Sequence, residues 1–487
     1  MISLIAFRNI VFRPWRSALL FFGYGIGVAV MIALLSVGEA LLTQARDEKL
    51  VGGGAITVLP QGLDVEVMKT GGIGGLFFSI DQARFIYDQL LASPRLSSSI
   101  VAVAPQIDGR LIYLRTLRGS EFAVKASGEI PSRTRLVKGL TSLRSGTWSD
   151  DAGDRRWMNP TLAELRHDID RFHIPSDSVA DRDTWAEWHY FNVVSGDRKR
   201  WAFISLIVAG DVTSDKWGGS VMITLREQEQ RSRKFEAIIP RTDVDFSTTS
   251  ANLRLGPSNV TVMPNGDYRV IAHAHGRDGP VTVDLMIHPS ARAYFPGASL
   301  GTDDFVSGYT VPALRASATG SICVAAECER YDNAQSYHDH NWGVWRGVTW
   351  DWGASRAGAY TILYGRVITA EAKREQPLFV YVVDSLGFKA VMRPATIAYD
   401  DARTTIVAGR EVRVPSRAIF ADVRGADTLR VELDIEDAIA TDMRQSIQRS
   451  SFGGPFFIQM KGTATISGRL GGDPVSGTGT GFFETYR

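Results

Sequence analysis

The chain has few cysteines and almost no net charge, and both absences exclude classes of protein. Two cysteines in 487 residues rule out a disulfide-rich scaffold. Cys323 and Cys328 also cannot complete a four-ligand zinc site by themselves. Lys and Arg total 54 against 53 Asp and Glu, which leaves a net charge of +1. Because non-specific nucleic-acid binding needs a wide basic surface, we expect no nucleic acid among the partners.

Two common catalytic motifs are also missing. No GxxxxGK[ST] phosphate-binding loop occurs, and the glycine clusters at 52–54 and 71–75 do not link a strand to a helix. No GxSxG elbow occurs, which disfavours a Ser-His-Asp hydrolase. With 44% hydrophobic residues, 47 Gly and 19 Pro, the composition is typical of a turn-rich globular protein of several domains.

An uncharged apolar run near the N-terminus predicts a membrane helix. Residues 17–38 would span about 33 Å as a helix, against about 30 Å of bilayer hydrocarbon. Arg8, Arg13 and Arg16 precede the run, and acidic residues outnumber basic ones just after it. A cleaved signal peptide is the alternative, but its apolar region is usually about 7–15 residues. We therefore expect a single-pass protein of the cytoplasmic (inner) membrane, with a cytoplasmic N-terminus and its bulk in the periplasm.

The rest of the chain is predicted to form mainly short strands. No later segment reaches spanning length, and the apolar runs 201–210 and 378–383 have the length of buried strands. Many short strands at such spacing indicate β-sandwiches or barrels. The predicted strands are Val260–Met263, Tyr268–His273, Val281–Ile287, Tyr360–Ile368, Phe379–Val383, Thr404–Ala408, Thr428–Ile435 and Phe457–Ile466. Helices are predicted over Ser79–Leu91 and Thr161–Phe172, the second with a Thr161/Glu164 capping box.

Two aromatic stretches carry the residues that could perform chemistry. They are residues 185–191 and residues 337–345, the second followed by Trp350 and Trp352. On a regular strand, His338, His340 and Trp342 would face one side, with Asp339 and Asn341 on the other. Aromatic walls with a few polar groups are typical of a small-molecule cavity. The alternative is that the tryptophans are core residues and the polar groups are hydrogen-bonded inside it.

The N-terminal residues resemble a transporter family. Phe7-Arg8-Asn9-Ile10, Arg13-Pro14-Trp15-Arg16-Ser17, Gly25-Ile26-Gly27 and Leu34-Leu35-Ser36-Val37-Gly38-Glu39 resemble the first helix of the MacB/FtsX-type ABC-transporter permeases. The likeness extends over about residues 1–125 and implies ABC-transporter permease and ATPase subunits as partners. Such permeases have further membrane helices near their C-terminus, so we expect this chain not to form a transport pathway by itself.

A second resemblance covers about residues 155–487. His338-Asp339-His340-Asn341-Trp342-Gly343, Trp350-x-Trp352-Gly353, Glu187-Trp188-His189-Tyr190, and Gly477-x-Gly479 with Glu484 resemble the carotenoid 1,2-hydratase (CrtC)/AttH-type lipocalin-like family. The resemblance implies two consecutive lipocalin-like β-domains with a site for a hydrophobic, often isoprenoid, ligand near their interface. His189 stands where that family has a second tryptophan.

These observations predict a mainly β protein with one N-terminal transmembrane helix. The expected segments are a cytoplasmic N-terminus (1–16), a membrane helix (17–42), a small α+β permease-core-like segment (43–126), a linker (127–156), and two lipocalin-like domains (157–314 and 315–487).

The candidate site residues follow from the two stretches. Asp339 is the first candidate acid and Glu187 the alternate, with His340 and Asn341 placing water. The expected ligand-binding residues are Trp188, His189, Tyr190, His338, Asn341, Trp342, Trp350 and Trp352. A hydrogen-bonded network that fixes strand register is the structural alternative. A metal site at His338 and His340 with His189 or Glu187 is weak without a spaced third ligand, so no metal and no cofactor are expected.

Two functions remain open from the sequence. One is a membrane-anchored protein that binds a hydrophobic small molecule or lipid and works with an ABC transporter. The other is an enzyme that adds water to, or cyclises, an isoprenoid-like substrate by acid catalysis. Cys323 and Cys328 lie opposite each other in a predicted hairpin, where a disulfide can form.

The charge pattern around the apolar run gives a test of topology. A reporter that is active only in the cytoplasm should be silent when it is fused after Asp150, because the arginines precede the spanning run. Strong cytoplasmic signal from that fusion would contradict the predicted orientation.

Overall fold

The computed structural model describes most of the chain and divides it into two units. The described residues are 12, 14–47, 80–119, 121–138, 149–161, 164–165, 169–227, 230–302, 305–345, 347–368, 378–407, 409–442 and 456–487. The small unit comprises Met1–Ser79 and Ala102–Arg155, and the large unit comprises Ile80–Val101 and Arg156–Arg487.

Four helices and one small hairpin lie in the N-terminal third of the described chain. The helices are α1 (Pro14–Asp47), α2 (Ile80–Ala92), α3 (Pro131–Lys138) and α4 (Ala152–Met158), and the hairpin strands are β1 (Gln106–Arg115) and β2 (Glu121–Glu129). Among the described residues, one stretch is long and apolar enough to cross a membrane by length and composition. It is residues Pro14–Ile32 of α1, with a mean hydropathy of 1.5.

The first large sheet contains twelve strands. They are β3 (Trp185–Val194), β4 (Arg200–Asp211), β5 (Lys216–Glu227), β6 (Arg233–Pro240), β7 (Val244–Phe246), β8 (Leu253–Leu255), β9 (Ser258–Val262), β10 (Tyr268–Gly276), β11 (Gly279–Pro289), β12 (Phe295–Thr302), β13 (Phe305–Val324) and β14 (Glu327–Val344). The order β11-β13-β14-β3-β4-β5-β6-β10 returns to β11 through the β10–β11 pairing, so eight antiparallel strands close into a ring that we call the barrel.

Alternate residues of each strand point into the barrel, and most of these inward side chains are apolar. On β4, Ala202, Ile204 and Leu206 pack in the interior, together with Phe191 of β3 and Tyr268 of β10. The residues between them point outward and meet the second sheet, as Phe203 does against Phe482, with ring centroids 5.3 Å apart.

The second large sheet contains nine strands. They are β15 (Thr349–Ala357), β16 (Tyr360–Ile368), β17 (Phe379–Asp384), β18 (Gly387–Met392), β19 (Ala398–Asp400), β22 (Arg417–Arg424), β23 (Asp427–Asp442), β24 (Phe456–Leu470) and β25 (Asp473–Tyr486), while β20 (Arg403–Val407) and β21 (Arg410–Val414) form a separate hairpin. The strand order in this sheet is β18-β17-β16-β15-β25-β24-β23-β22-β19. One face of this second sheet covers an apolar core that includes Tyr364 and Phe420. The other face packs against the outside of the barrel through aromatic and aliphatic side chains.

The mainly β prediction is confirmed, and each predicted strand lies within an observed strand over its described residues, except that Met263 follows the end of β9. Ala408, Ser79 and the glycine clusters lie outside the described residues. The capping box is present, because Thr161 N donates to Glu164 Oε2 (2.8 Å) and Glu164 N donates to Thr161 Oγ1 (3.2 Å).

The segment boundaries differ from the expected ones. The boundary expected at residue 314 falls inside β13, and the change from the barrel to the second sheet lies between Val344 and Thr349. The reason is that β13 and β14 pair from Ser307↔Gly343 to Val324↔Glu327 as one long hairpin. Within segment 43–126, α2 belongs to the large unit, where Phe85 contacts Tyr294 at a centroid distance of 3.9 Å. The expected linker contains α3 and the start of α4.

The two cysteines are bonded to each other across the β13–β14 turn. Cys323 faces Cys328 in the strand register, and their sulfurs form a disulfide. Ala325 between them has a positive φ of 51°, as a tight hairpin turn requires.

This bond predicts how the thiols behave. Protein purified without reductant from the compartment in which it folds should show no free thiol until it is reduced. Replacing both cysteines with serine should lower the free energy of unfolding by about 2 kcal/mol, the entropic value for so short a loop. Thiol titration under denaturing conditions and chemical denaturation measure the two effects. Two free thiols in unreduced protein would contradict the bond.

Candidate functional site

Side-chain alternation on β14 divides the candidate residues between two faces of the barrel wall. In the register with β3, His340 lies opposite His189 and Asn341 lies opposite Trp188. Opposed residues of an antiparallel pair share a face. His338 and His340 therefore point into the barrel, where His338 stacks on Phe191 at 4.1 Å. Asp339 and Asn341 point outward, toward the second sheet.

A cavity of about 650 Å³ lies between the barrel wall and the second sheet. Its aromatic walls are Trp188, Tyr190, Phe203, Trp345, Trp350, Trp352 and Tyr486, and its polar residues include Asp339, Asn341, Gln459 and Glu484. Trp188, Trp345 and Trp350 pack together, with centroid distances of 4.7 Å for Trp188–Trp345 and 5.5 Å for Trp345–Trp350. The size and the apolar lining suit a drug-sized organic molecule.

Asp339 is a buried carboxyl group in the wall of this cavity. Tyr337 Oη donates to its Oδ2 (2.7 Å), and Asn341 Nδ2 donates to its Oδ1 (2.6 Å). Trp352 Nε1 in turn donates to Tyr337 Oη (2.9 Å), so three side chains fix the carboxyl's orientation. Burial raises the pKa of Asp339 to about 8, although the bonds from Tyr337 and Asn341 act in the opposite direction. At neutral pH the group carries its proton.

Glu484 supplies a second carboxyl group to the cavity, from β25 on the opposite sheet. Trp350 Nε1 donates to its Oε2 (3.0 Å). Burial raises the pKa of Glu484 as well, and its nearby charge adds to the raised pKa of Asp339. The two sheets thus each contribute one carboxyl group with a raised pKa to the same cavity.

The inward face of the barrel wall carries a cluster of polar side chains, which we call the Asp170 cluster. It consists of Asp170, His173, Glu187, His189, Tyr268, His338 and His340. Asp170 is its centre, because Tyr268 Oη donates to Oδ2 (2.6 Å) and His340 Nδ1 bonds Oδ1 (2.5 Å). His338 Nε2 lies 3.2 Å from Oδ2, and its Nδ1 donates to the Tyr190 carbonyl (3.0 Å).

Glu187 is held ionised in this cluster. It accepts from His173 N (2.9 Å), from His173 Nδ1 (2.8 Å) and from His340 Nε2 (3.0 Å). Burial acts against ionisation, but His173 and His340 lower the pKa of Glu187. The bonds to Asp170 and Glu187 likewise overcome burial and raise the pKa of His340 to about 9. An ionised Glu187 on the inward face is poorly suited to donate a proton to a ligand in the cavity.

The sequence-predicted residues therefore fall into two groups. The cavity is lined by Asp339, Asn341, Trp188, Tyr190, Trp350 and Trp352. The inward face carries Glu187, His189, His338 and His340, while Trp342 stacks on His173 at 4.0 Å. His340 therefore lies in a different space from Asp339 and Asn341, because adjacent strand residues point to opposite faces. The expectation that both His340 and Asn341 place water beside Asp339 leaves only Asn341 in the cavity.

Sequence reasoning did not select Asp170, His173, Tyr268, Tyr337 or Glu484 as site residues. Asp170 lies in the predicted helix Thr161–Phe172, and its partners His338 and His340 are 168 and 170 positions away. No local pattern could have found it. Glu484 had a signal, since it belongs to the C-terminal motif that resembles the AttH-type family.

The protonated Asp339 predicts a specific pH dependence of stability. Between about pH 4 and pH 8 the folded protein keeps a proton that the unfolded chain releases. The free energy of unfolding should therefore fall as pH rises across this window, by up to about 1.4 kcal/mol per pH unit for this one group. Asp339→Asn removes the contribution, so its pH profile should be flatter than that of the unaltered protein in denaturant unfolding. Parallel profiles for the two forms would contradict a raised pKa.

Comparison with known proteins finds similarity at the level of solved structures. No family model matches the chain, and no curated protein does. The AttH structure from Nitrosomonas europaea is 15% identical with a TM-score of 0.43, covering 65% of this chain and 98% of that one. Kievitone hydratase from Nectria haematococca is 15% identical with a TM-score of 0.42, covering 65% and 94%. CghA in complex with Sch210972 is 14% identical with a TM-score of 0.40, covering 62% and 89%.

Proposed function

We propose that the protein binds a hydrophobic small molecule between the barrel and the second sheet and protonates it through Asp339. The observation that carries the proposal is a proton-bearing carboxyl group in a cavity that aromatic side chains from both sheets line. The reaction class is acid-catalysed hydration or cyclisation of an alkene, as in an isoprenoid-like substrate, and it needs no cofactor.

Binding rests on the cavity's size and lining. A space of about 650 Å³ accommodates a molecule of drug or terpenoid size. Tryptophan and tyrosine rings from both sheets offer apolar area, while polar residues that include Lys234, Glu236 and Asp442 can orient the ligand. A largely hydrophobic ligand that carries some polar groups therefore fits the site.

In the proposed reaction, Asp339 gives up one proton and regains one in each turnover. The alkene's π electron pair forms a new C–H bond with the Asp339 proton, which leaves a carbocation and an aspartate. Water then adds to the cation and returns one proton to the aspartate, so hydration regenerates the acid. In cyclisation, a second double bond attacks the cation, and loss of a ring proton to the aspartate restores it. A carboxyl group with a pKa near the working pH is well matched to both directions of transfer.

The walls would stabilise the intermediate. The faces of Trp188, Trp345, Trp350 and Trp352 present negative π-density to a developing cation. Glu484, from the opposite sheet, is placed to orient the attacking water or to accept a proton. Asn341 keeps Asp339 Oδ1 in a fixed direction and also lines the cavity.

The proposed cellular setting combines the apolar stretch of α1 with the N-terminal charge pattern. We place the protein in the cytoplasmic membrane through residues Pro14–Ile32, with the large unit in the periplasm. A membrane position would give the cavity access to lipid-soluble ligands. The permease-like N-terminal motifs support ABC-transporter permease and ATPase subunits as partners.

A second candidate function is carriage without chemistry. The same cavity could hold a lipid that the protein hands to a transporter, and the transporter-like N-terminus favours this alternative. In that case Asp339 and Glu484 would act only as hydrogen-bonding partners of the ligand's polar atoms.

Two measurements separate the candidates. Mass spectrometry of lipids extracted from the purified full-length protein identifies the bound ligand class. Incubating that extract with the protein in D₂O then reports the chemistry, since protonation of an alkene introduces a C–D bond. Hydration also adds the mass of one water molecule. An extracted ligand that acquires neither label would exclude the enzyme and leave the carrier.

Replacing Asp339 tests its role directly. Asp339→Asn should lower turnover by roughly 10²–10⁴-fold, the usual contribution of a positioned proton donor, with ligand affinity nearly unchanged. If Asp339 instead serves only the hydrogen-bond network with Tyr337 and Asn341, the change should cost about 1–3 kcal/mol of stability and affinity should fall with it. Turnover, melting temperature and quenching of tryptophan fluorescence by the ligand distinguish the two outcomes.

A pair of tryptophan variants controls for the location of the site. Trp188→Ala should weaken ligand binding, because Trp188 lines the cavity. Trp342→Phe should leave binding unchanged, because Trp342 lies against His173 and not among the lining residues. Equal loss of affinity in both variants would place the ligand elsewhere.

A further inference from the structure

The Asp170 cluster contains a buried histidine nitrogen that its own hydrogen bonds leave unsatisfied. His189 Nε2 lies 2.9 Å from the Ala251 carbonyl oxygen. A carbonyl only accepts, so the ring proton is on Nε2 and Nδ1 presents a lone pair. Among the described residues, His189 Nδ1 has no hydrogen-bond partner, although the side chain is fully buried. A buried acceptor in this state is costly and calls for a partner.

The atom that His189 Nδ1 faces is itself an electron-pair donor. Asp170 Oδ1 lies 3.6 Å away, beyond hydrogen-bond distance, and carries no proton that could bridge the gap when ionised. Two lone pairs that approach each other in a buried site repel. A cation between them would convert that repulsion into two bonds.

A third donor atom converges on the same point. His340 Nε2 lies 3.0 Å from Glu187 Oε1, so its proton is directed to that carboxylate and its Nδ1 faces Asp170 Oδ1. The ligand atoms of Asp170, His189 and His340 all lie within 4.8 Å of one another. Bonds of about 2.0–2.2 Å to one ion fit that separation after small side-chain rotations.

We propose that Asp170, His189 and His340 bind a divalent transition-metal ion inside the barrel. The donor set of two imidazoles and one carboxylate, without sulfur, suits Zn²⁺ and related first-row ions. On binding, the ion takes the place of the proton between His340 Nδ1 and Asp170 Oδ1. It also becomes the partner that His189 Nδ1 lacks.

The surrounding contacts are those that metal ligands require. Each ligating histidine donates its other N–H, His189 to the Ala251 carbonyl and His340 to Glu187. Tyr268 Oη donates to Asp170 Oδ2 (2.6 Å) and leaves Oδ1 for the ion. Such outer contacts fix the tautomer and the ring orientation of metal-binding histidines.

The position of the site assigns it a structural role. The three ligand residues are fully buried in the barrel and do not line the cavity where Asp339 lies. They connect β3 and β14 to the segment that carries Asp170. That segment precedes β3 in the chain. The ion would therefore stabilise the barrel and act independently of the proposed chemistry.

The test measures metal directly in the full-length protein, purified with a tag that contains no histidine and without chelators. Elemental analysis should find about one equivalent of a divalent transition metal per chain. Chelator-treated protein should take up one equivalent of Zn²⁺, with a higher melting temperature. Co²⁺ in place of Zn²⁺ should give visible absorption bands of nitrogen and oxygen coordination.

Matched variants locate the site. His189→Gln and Asp170→Asn should each reduce retained Zn²⁺ at least tenfold, whereas His273→Gln should retain it, because His273 lies outside the cluster in a separate His-x-His pair. If the cluster variants fail to fold, the unaltered protein decides the question alone. The proposal is wrong if the protein contains no metal as purified, takes up no Zn²⁺ and shows no Co²⁺ bands. The cluster would then be held together by hydrogen bonds alone. Full Zn²⁺ retention in folded His189→Gln would overturn it too.

Discussion

The two-residue alternation of side chains along β14 is the constraint on which both polar sites depend. His338 and His340 point into the barrel, while Asp339 and Asn341, their neighbours in the chain, point into the cavity against the second sheet. One strand thus serves as the common wall of two chemically different spaces. A shift of its pairing with β3 by one residue would exchange the two sets and disrupt both sites.

The two spaces treat buried carboxyl groups in opposite ways. In the cavity, Asp339 receives hydrogen bonds from neutral donors only, so burial dominates and its pKa rises to about 8. Inside the barrel burial acts in the same direction, yet the histidines around Asp170 and Glu187 overcome it and lower the pKa of both. Environments that push the pKa values of similar groups apart create an acid in one place and fixed charge in another.

Fixed charge in an apolar interior is tolerated only when it is fully paired. Breaking a buried ion pair by removing one partner typically costs about 3–5 kcal/mol, because the other charge is left uncompensated. The Asp170 cluster meets this requirement through bonds from Tyr268, His338 and His340, with His189 Nδ1 as the exception that motivates a metal ion. The proposed acid and the proposed metal site can therefore be tested separately, since they lie on opposite sides of one sheet.

The sequence by itself determined the elements that depend on local patterns. The apolar run of α1, the strand periodicity, the Thr161 capping box and the two faces of residues 338–342 all follow from the identity of near neighbours. Asp339, Trp188, Trp350 and Trp352 of the cavity were selected in the same way.

The tertiary structure decided what those faces meet. Glu484 reaches the cavity from the last strand, and Asp170 reaches His340 across 170 positions of the chain. It also decided that β13 and β14 remain in the barrel, where they pair as one long hairpin. Strand pairing and barrel closure bring together residues that are distant in sequence, and no spacing along the chain encodes which strand becomes the neighbour of which.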